Sequence, residues 1–278
     1  MIKLLVDSAA DFTNDDLKAN NIAMIPLQIS ANDETYLDNV TITKDEFYDK
    51  LCNQKYHFKT SQPSPNAFLD AFEKVKESGD TLLCLMLSSK LSGTYQSAML
   101  AKNIVEYENI YIVDTQSATA GIQFLSERAL EMIHANLTIE LIIQELEEMK
   151  QHVRIFASVD TLEYLHRGGR ISKASAIIGS VAKVKPVITV DEGSAIVATK
   201  KVGVHQTMHY IIEQMNTLKV HPKYPVKTLM TSGDKHCQQL EKMITQENYT
   251  IGKRVQVGST IGTHIGPDAF GAVFIETY

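Results

Sequence analysis

The feature that most restricts the fold is a nearly continuous apolar run over residues 81–87. Its length suits a strand, and its lack of polar side chains indicates a strand buried on both faces, as in a parallel sheet covered by helices. Residues 2–6 and 110–113 are similar runs, each followed by a polar turn and an amphipathic stretch. This repetition predicts an N-terminal parallel α/β sheet flanked by helices.

Shorter signals predict the elements between these strands. Residues 22–29 read as one strand, in which Pro26 favours a sheet edge or a strand end. Residues 44–51 read as a helix that begins behind Thr43, with Glu46 as its capping-box partner. Residues 59–65 (KTSQPSP) are predicted to interrupt the regular structure before a helix over residues 66–76.

From about residue 155 the pattern changes. A short helix, a GGRIS segment and an apolar helix over residues 174–181 come first, and a hairpin signal follows at Asp191-Glu192-Gly193. Alternating helices and strands complete the chain. We therefore predict two domains, an N-terminal α/β domain over residues 1–155 and a C-terminal mixed α/β domain over residues 156–278.

Composition excludes several classes of protein. With 27 basic and 33 acidic side chains the net charge is −6, so the chain lacks the positive charge on which most nucleic-acid binding depends. No segment approaches the roughly 18 apolar residues of a membrane span, and the first apolar run is too short for a secretory signal. Cys52, Cys84 and Cys237 form no CxxC pair and are predicted to be buried free thiols. These features favour a soluble, cytoplasmic protein.

Three polar turns follow predicted strands, at residues 7–8, 88–94 and 114–117. Such turns collect at the carboxyl edge of a parallel sheet, where ligands of open α/β sheets bind. The turn over residues 88–94 is the best candidate, because Gly93 permits close approach and the following helix N-terminus favours an anion. Thr60 and Ser61, before Pro63, form a second group of hydroxyl donors. For residues 88–94 the alternative is that these side chains only cap the following helix. For Thr60 and Ser61 the alternative is a plain turn.

Other signals are weaker. His205, His209 and Glu213 share one helix face at a spacing that can bind zinc, but Gln206 occupies the place of the HExxH glutamate, which favours a solvated face. His264 lies in a glycine-flanked loop over residues 262–267. No dinucleotide, P-loop or nucleophile-elbow motif occurs.

One set of apolar residues could belong to the core or could line a lipid tunnel: Leu162, Leu165, Ile171, Ile177, Ile178 and Val181.

Five motifs occur in a specific order, VDS at residues 6–8, KTSQP at 59–63, LSGTY at 91–95, VDT at 113–115 and GGRIS at 168–172. In this order and spacing they resemble the DegV family over nearly the whole chain. The resemblance implies a two-domain α/β protein that binds one long-chain fatty acid, such as palmitate or oleate, between its domains, without cofactor or metal. It also implies a non-catalytic subunit that presents the carboxylate to a separate ATP-dependent fatty acid kinase subunit, which makes acyl phosphate.

Carried over by motif, the resemblance implies that Thr60 and Ser92 hold the carboxylate. Ser61, Gly93 and Thr94 would support them, and His264 would complete the polar network. Burial of a C16 chain could contribute on the order of 10 kcal/mol before ordering costs, at about 0.8 kcal/mol per methylene. We hypothesise that hydroxyls and backbone N–H groups hold the carboxylate without a salt bridge.

Two positions depart from the family pattern. Gly203 stands where many members have arginine, and Asp268 stands where glycine is usual. The first departure leaves kinase docking open, so a lipid carrier without a kinase partner is one alternative. A second is an independent acyl hydrolase that uses a serine of residues 88–94. A third is an interaction protein with a vestigial pocket.

Overall fold

A computed structural model describes residues 1–171 and 183–278. The predicted helix over residues 174–181 lies outside the described residues, together with Ser172, Ile177, Ile178 and Val181. The strands are β1 Ile2–Asp7, β2 Ile22–Ile25, β3 Gln28–Ala31, β4 Glu34–Leu37, β5 Lys59–Ser61, β6 Thr81–Met86, β7 Ile110–Asp114, β8 Val153–Ser158, β9 Val184–Asp191, β10 Ser194–Val202, β11 Val226–Met230, β12 Ile251–Gln256 and β13 Phe270–Ile275. The α-helices are α1 Asn14–Ala19, α2 Lys44–Cys52, α3 Asn66–Ser78, α4 Thr94–Val105, α5 Ala120–His134, α6 Ile139–Met149, α7 Glu163–Arg167, α8 Val204–Leu218, α9 Lys235–Gln246 and α10 Ser259–Ile265.

The predicted parallel sheet is confirmed. Its strand order is β2-β1-β6-β7, and all neighbours are parallel. Successive side chains of β6 point to opposite faces. Leu83 and Leu85 pack with residues of α5 and α6, whereas Leu82 and Cys84 pack with residues of α3 and α4. Burial on both faces explains why this strand is apolar throughout.

The prediction of one strand over residues 22–29 is wrong. The chain forms β2 at the edge of the parallel sheet, turns after Pro26, and enters β3 of a separate three-stranded sheet with the order β4-β3-β5. The predicted break at residues 59–65 is also wrong at its start, because β5 pairs with β3 and places Thr60 opposite Ile29. The helix behind Thr43 is confirmed with its capping box.

The second half contains the predicted mixed sheet, with the order β10-β9-β8-β13-β11-β12. Strands β11 and β12 are parallel and the other pairs are antiparallel. The predicted hairpin joins β9 to β10 through Glu192 and Gly193, both with positive φ (44° and 81°), as a type I′ turn requires. At its tip the Ser88 hydroxyl donates to the Gly193 carbonyl at 2.7 Å. The hairpin therefore contacts the 88–94 turn.

One apolar core joins the two halves. The inner face of the mixed sheet, including Ile155 and Val273, packs in the same cluster as Leu4 and Leu83 of the parallel sheet. Helices α8 and α9 cover the outer face. Strand β8 spans residue 155, the predicted domain boundary.

The predictions about the cysteines and about membrane spans have structural outcomes. Cys84 and Cys237 are buried, but Cys52 is exposed at the end of α2, so the prediction for that thiol is wrong. Among residues 1–171 and 183–278, no helix has the length and apolar character needed to cross a membrane.

Candidate ligand-binding site

A cavity of about 360 Å³ lies between the turns of the parallel sheet and the inner face of the mixed sheet. Strands β8, β9, β10 and β11 supply one wall, and the turns after β2, β6 and β7, together with β5 and α10, supply much of the rest. Most of the lining is apolar: Leu27, Leu87, Leu91, Ala118, Ile155, Ala157, Leu165, Ile188, Val190, Ala195, Leu229, Ile261 and Ile265. A cavity of this size and character suits a small, mostly apolar ligand.

Several of the predicted site residues line this cavity. Thr60, Ser61, Ser92 and His264 contribute polar side chains, and Gly93 also lies in the lining. The predicted supporting residue Thr94 is fully buried and contacts Ser92 instead of facing the cavity. The structure therefore brings together residues that lie more than 200 positions apart in the chain.

Thr60 and His264 form a hydrogen-bonded pair. The Thr60 hydroxyl lies 2.8 Å from Nε2 of His264. The prediction of a loop around His264 is wrong, because this residue lies in the last turn of α10. Burial, with a smaller contribution from the nearby Arg170 charge, lowers the pKa of His264 to about 4. The imidazole is therefore neutral near pH 7 and carries a single N–H.

The other nitrogen of His264 has a different environment. Among the described residues Nδ1 has no hydrogen-bond partner, although the side chain is buried. It lies against Gly168, where an added Cβ would be only 2.1 Å away. Glycine at this position is therefore required for the ring to occupy its place beside Thr60.

Within the LSGTY turn, Thr94 makes two hydrogen bonds to Ser92. Its hydroxyl lies 2.8 Å from the Thr94 hydroxyl and accepts a 3.3 Å bond from the Thr94 N–H, at the start of α4. Gly93 allows the TSQP segment to approach, because a Cβ there would lie 1.8 Å from Oε1 of Gln62. Gln62 in turn donates to the Ser97 hydroxyl at 3.0 Å. The two motifs thus pack directly on each other.

Arg170 was not among the predicted site residues, yet it lines the polar end of the cavity. Its Nε donates to the Leu91 carbonyl at 3.0 Å and its Nη1 to the Gly168 carbonyl at 2.5 Å. The signal was present in the sequence as the arginine of GGRIS. A guanidinium at this end adds a positive charge that the hypothesis of a carboxylate without a salt bridge did not include. Gln62, Thr119 and Thr260 are further polar lining residues that were not predicted.

Two buried carboxylates orient the helix that carries His264. Asp38 accepts bonds from the backbone N–H groups of Ser259 (3.2 Å) and Thr260 (3.3 Å) and from their hydroxyls. Asp11 accepts from the Gly258 N–H at 2.8 Å. Negative charge is favourable at a helix N-terminus. Burial nevertheless disfavours ionisation and raises the pKa of Asp11 to about 7.

The Asp7-Ser8 turn supports the cavity wall from behind. Asp7 accepts from the Leu87 N–H at 2.6 Å, and Ser8 accepts from the Leu27 N–H at 3.0 Å. Neither polar side chain lines the cavity, but both leucines do. In the 114–117 turn, Asp114 likewise accepts from the Ser89 N–H at 3.1 Å. The polar side chains of these turns therefore hold the backbone of neighbouring segments in place and are not donors to a ligand.

The candidate zinc residues His205, His209 and Glu213 do not line this cavity. His205 and His209 lie on α8 with ring centroids 4.5 Å apart. Within the part of the chain that the structure describes, no three histidine, cysteine, aspartate or glutamate side chains group as metal ligands would.

A family model described as "Uncharacterised protein, DegV family" matches residues 1–277. The chain belongs to the DegV family. A DegV domain-containing protein of Caldanaerobacter subterraneus subsp. tengcongensis is 35% identical over 277 residues, which cover 99% of each chain.

Solved DegV structures have the same fold. A DegV family protein from Thermus thermophilus, described for its fatty acid binding, is 28% identical with a TM-score of 0.90. DegV from Bacillus subtilis, described as a fatty acid binding protein, is 29% identical with a TM-score of 0.86. Each comparison covers 99% of both chains. The DegV-like α/β fold implied by the motifs, with an N-terminal parallel sheet flanked by helices, is therefore confirmed.

Proposed function

We propose that this DegV chain binds one long-chain fatty acid, with the acyl chain in the 360 Å³ cavity and the carboxylate at Thr60 and Ser92. The observation that carries the proposal is the distribution of polarity, because one apolar cavity ends in hydroxyls and a guanidinium. Each buried methylene contributes about 0.8 kcal/mol, so palmitate or oleate would gain enough to offset ordering costs. The fatty acid binding described for the Thermus and Bacillus proteins supports the same ligand class.

The polar end suggests how a carboxylate would be held. A neutral His264 that donates through Nε2–H to the Thr60 oxygen leaves the Thr60 proton available for the ligand. The Thr94 N–H, which points at the Ser92 oxygen, similarly favours donation by Ser92 to a ligand. Arg170 adds positive potential at the same end. Two hydroxyl donors and a nearby cation can compensate a desolvated carboxylate.

Within this proposal the protein is a non-catalytic binding subunit that presents the carboxylate to a separate ATP-dependent kinase subunit. Ser61 and Gly93 would shape the head-group end, and the ligand would lie between the domains of residues 1–155 and 156–278. The two departures from the family pattern, at positions 203 and 268, favour the alternative of a lipid carrier without a kinase partner. Gly203 has a φ of 82°, a conformation that an arginine would adopt only with strain. Asp268 also has a positive φ, and its N–H binds the Ser232 hydroxyl.

The hydrolase alternative has less support. Ser92 bonds to a threonine hydroxyl, and His264 bonds to Thr60. The described residues therefore supply no serine–histidine pair of the kind that activates a nucleophile. Release of free acid from an acyl ester by the pure protein, lost in Ser92→Ala, would overturn the binding proposal.

The experiment is a comparison of palmitate and oleate affinities in the wild type and in Thr60→Ala/Ser92→Ala. We expect at least a tenfold loss of affinity, because two hydrogen bonds to a charged group contribute about 1.5–3 kcal/mol each. Native mass spectrometry should show one fatty acid bound per wild-type chain. Thr217→Ala/Thr245→Ala is the matched control, since both of its hydroxyls bond to backbone carbonyls and neither residue lines the cavity. A site variant that binds like wild type would contradict the assignment.

A further inference from the structure

The ligand cavity has a second group of hydroxyl-bearing residues, away from its head-group end. Thr119 and Thr260 line the cavity but take no part in the proposed contacts of the carboxylate. Thr260 lies four residues before His264 on α10, a separation of roughly 6 Å along the helix axis. These two threonines therefore border a part of the cavity that the acyl chain would occupy.

Asp11 connects the two threonines. Its Oδ1 accepts from the Gly258 N–H at 2.8 Å, directly before α10. Burial raises the pKa of the Asp11 carboxyl to about 7, and the Thr119 hydroxyl is close enough to oppose that shift. The start of α5, at Thr119, and the start of α10 therefore lie beside the same carboxyl group.

The Thr119 hydroxyl has an uncommitted proton. Within residues 1–171 and 183–278 this hydroxyl only accepts, from the N–H of Ala120. Oδ2 of Asp11, an acceptor close to it, has no hydrogen-bond partner in the same part of the chain, although Asp11 is only 3% exposed. The proton of Thr119 is therefore available to a ligand in the cavity.

The Thr260 hydroxyl offers the complementary group. Its proton is committed, because it donates to Oδ2 of Asp38 at 2.6 Å. A hydroxyl oxygen has two lone pairs, so the oxygen of Thr260 can still accept. A free donor on Thr119 and a free acceptor on Thr260 suit a ligand group that both accepts and donates. An alcohol has this property.

The backbone of Thr119 supplies an independent observation. Its φ of 48° and ψ of −129° lie in a region that β-branched residues rarely adopt. The N–H of Thr119 donates to the Ala9 carbonyl at 2.7 Å, which helps to hold this conformation. Such strain persists where the surrounding structure enforces it, and it is concentrated at ligand-binding sites. The chain thus keeps a costly conformation at the wall of the cavity.

We propose that this cavity binds a fatty acid with a hydroxyl group on an interior carbon, which accepts from Thr119 and donates to Thr260. This inference rests on the proposed fatty acid function and names a substrate class within it. In a purely apolar cavity a ligand hydroxyl would lose its bonds to water without replacement, which disfavours its burial. Here each of its two hydrogen-bonding roles has a partner.

The test compares palmitate with 6-, 9-, 12- and 16-hydroxypalmitate in binding titrations of the wild type. We expect one of the three interior isomers to bind at least as tightly as palmitate. The 16-hydroxy isomer should bind at least tenfold more weakly than palmitate, because its hydroxyl lies at the end of the chain, beyond both threonines. The 12-oxo, 9-oxo or 6-oxo analogue of the preferred isomer accepts but cannot donate, so it should bind at least fivefold more weakly than the alcohol.

Variants of Thr119 identify the donor. Valine has the shape of threonine without the hydroxyl, so Thr119→Val should weaken the preferred isomer at least tenfold while palmitate affinity changes less than threefold. Thr119→Ser keeps the hydroxyl and should bind both ligands like the wild type. Thr207→Val is the control, because Thr207 is also buried and bonds to a backbone carbonyl but does not line the cavity. It should change neither affinity.

The failures of the two proposals can be distinguished. If the wild type binds palmitate and every hydroxy isomer at least tenfold more weakly, the hydroxyl site is overturned and the fatty acid site stands. Equal weakening of palmitate and the preferred isomer by Thr119→Val would also overturn it, since Thr119 would then act through the shape of the cavity. Equal binding of the oxo analogue and the alcohol would overturn the role of Thr260. If the wild type binds neither palmitate nor any hydroxy isomer, the proposed function itself fails.

Discussion

At the scale of single residues, Gly168 sets the position of the His264 ring. Its absent Cβ leaves room for Nδ1, and the opposite nitrogen then reaches Thr60. The role of this glycine is steric and does not depend on backbone conformation, since its φ is −74°. The Thr60 hydroxyl is oriented only if the ring remains in place, so a change at Gly168 should act on the ligand through two intervening side chains.

We predict that Gly168→Ala lowers palmitate affinity about fivefold to tenfold. The added methyl group would displace the ring and break the Thr60–His264 bond, which contributes on the order of 1 kcal/mol. Overpacking should also lower the free energy of unfolding by about 1–3 kcal/mol. Titration with palmitate and urea unfolding measure the two effects. In Gly252→Ala, the control, the nearest atom would be Pro225 Cβ at 3.2 Å, and neither residue lines the ligand cavity. Unchanged affinity in a folded Gly168→Ala protein would refute this role.

Sequence alone predicted the hydroxyls of this site better than its charges. The two hydroxyl-bearing segments, residues 59–65 and 88–94, are local signals, but only the resemblance to the DegV family singled out Thr60 and Ser92 as carboxylate ligands. The position of Arg170 depends on bonds to Leu91 and Gly168, and the first of these joins residues 79 positions apart. Such long-range contacts leave no periodic signal in the sequence. The position of the Arg170 guanidinium in the cavity could therefore not be predicted.

At the scale of elements, the carboxyl group of Asp11 is buried at the N-terminus of α10, where burial opposes the favourable effect of the helix dipole. Asp11 accepts from the Gly258 N–H, but its second oxygen has no hydrogen-bond partner among the described residues. Burial raises its pKa to about 7 from the ordinary value of 3.8. The folded protein therefore binds this proton more tightly than the unfolded chain does. The contribution of Asp11 to stability is present at acidic pH and is lost as pH rises toward 7 and above.

We predict that Asp11→Asn is more stable than the wild type at pH 8, by on the order of 2 kcal/mol, and that the difference shrinks toward pH 5. Asparagine keeps a carbonyl oxygen for Gly258 but does not ionise. Urea unfolding at pH 5, 6.5 and 8 measures the difference. Asp33→Asn, in an exposed turn, should give a profile parallel to the wild type. A pH-independent difference for Asp11→Asn would show that ionisation is not the cause.

The elements that were predicted correctly are those with strong local signals. Strand β6 and helix α2 follow from a continuous apolar run and a capping box. Strand β5 and helix α10 were predicted as irregular because they are short and are stabilised by partners distant in sequence. Strand β5 exists through pairing with β3, and α10 begins on the carboxylates of Asp11 and Asp38. Tertiary contacts, rather than propensity, decide such elements.

At the scale of the whole molecule, the two halves share more than the ligand cavity. Their inner faces form one cluster of buried apolar residues. Lys227 of β11 also reaches α5, where its ammonium donates to Glu127 at 2.6 Å and to Gln123 at 3.2 Å. It lies 4.7 Å from the centre of the Phe124 ring. Burial lowers the pKa of Lys227, so the loss of these partners would leave a costly cation in the core.

A shared core predicts that the chain unfolds as one cooperative unit although it contains two large sheets. Separation of the halves would expose apolar surface on both sheets, so neither half has a stable structure to retain. Calorimetry should show a single transition with equal calorimetric and van't Hoff enthalpies. Palmitate at 100 times its dissociation constant should stabilise the whole chain by about 2.7 kcal/mol and raise Tm by about 5–10 °C.

Hydrogen exchange then tests whether both halves respond together. Because β1 and β13 contribute to the same cluster, palmitate should slow exchange in the two strands by the same factor. Slowing confined to residues 1–155, or two separate calorimetric transitions, would show that the halves are independent domains. The cavity wall would then be a surface that the ligand creates by drawing the domains together. Equal slowing would mean that the cavity is part of the common core and exists before the fatty acid binds.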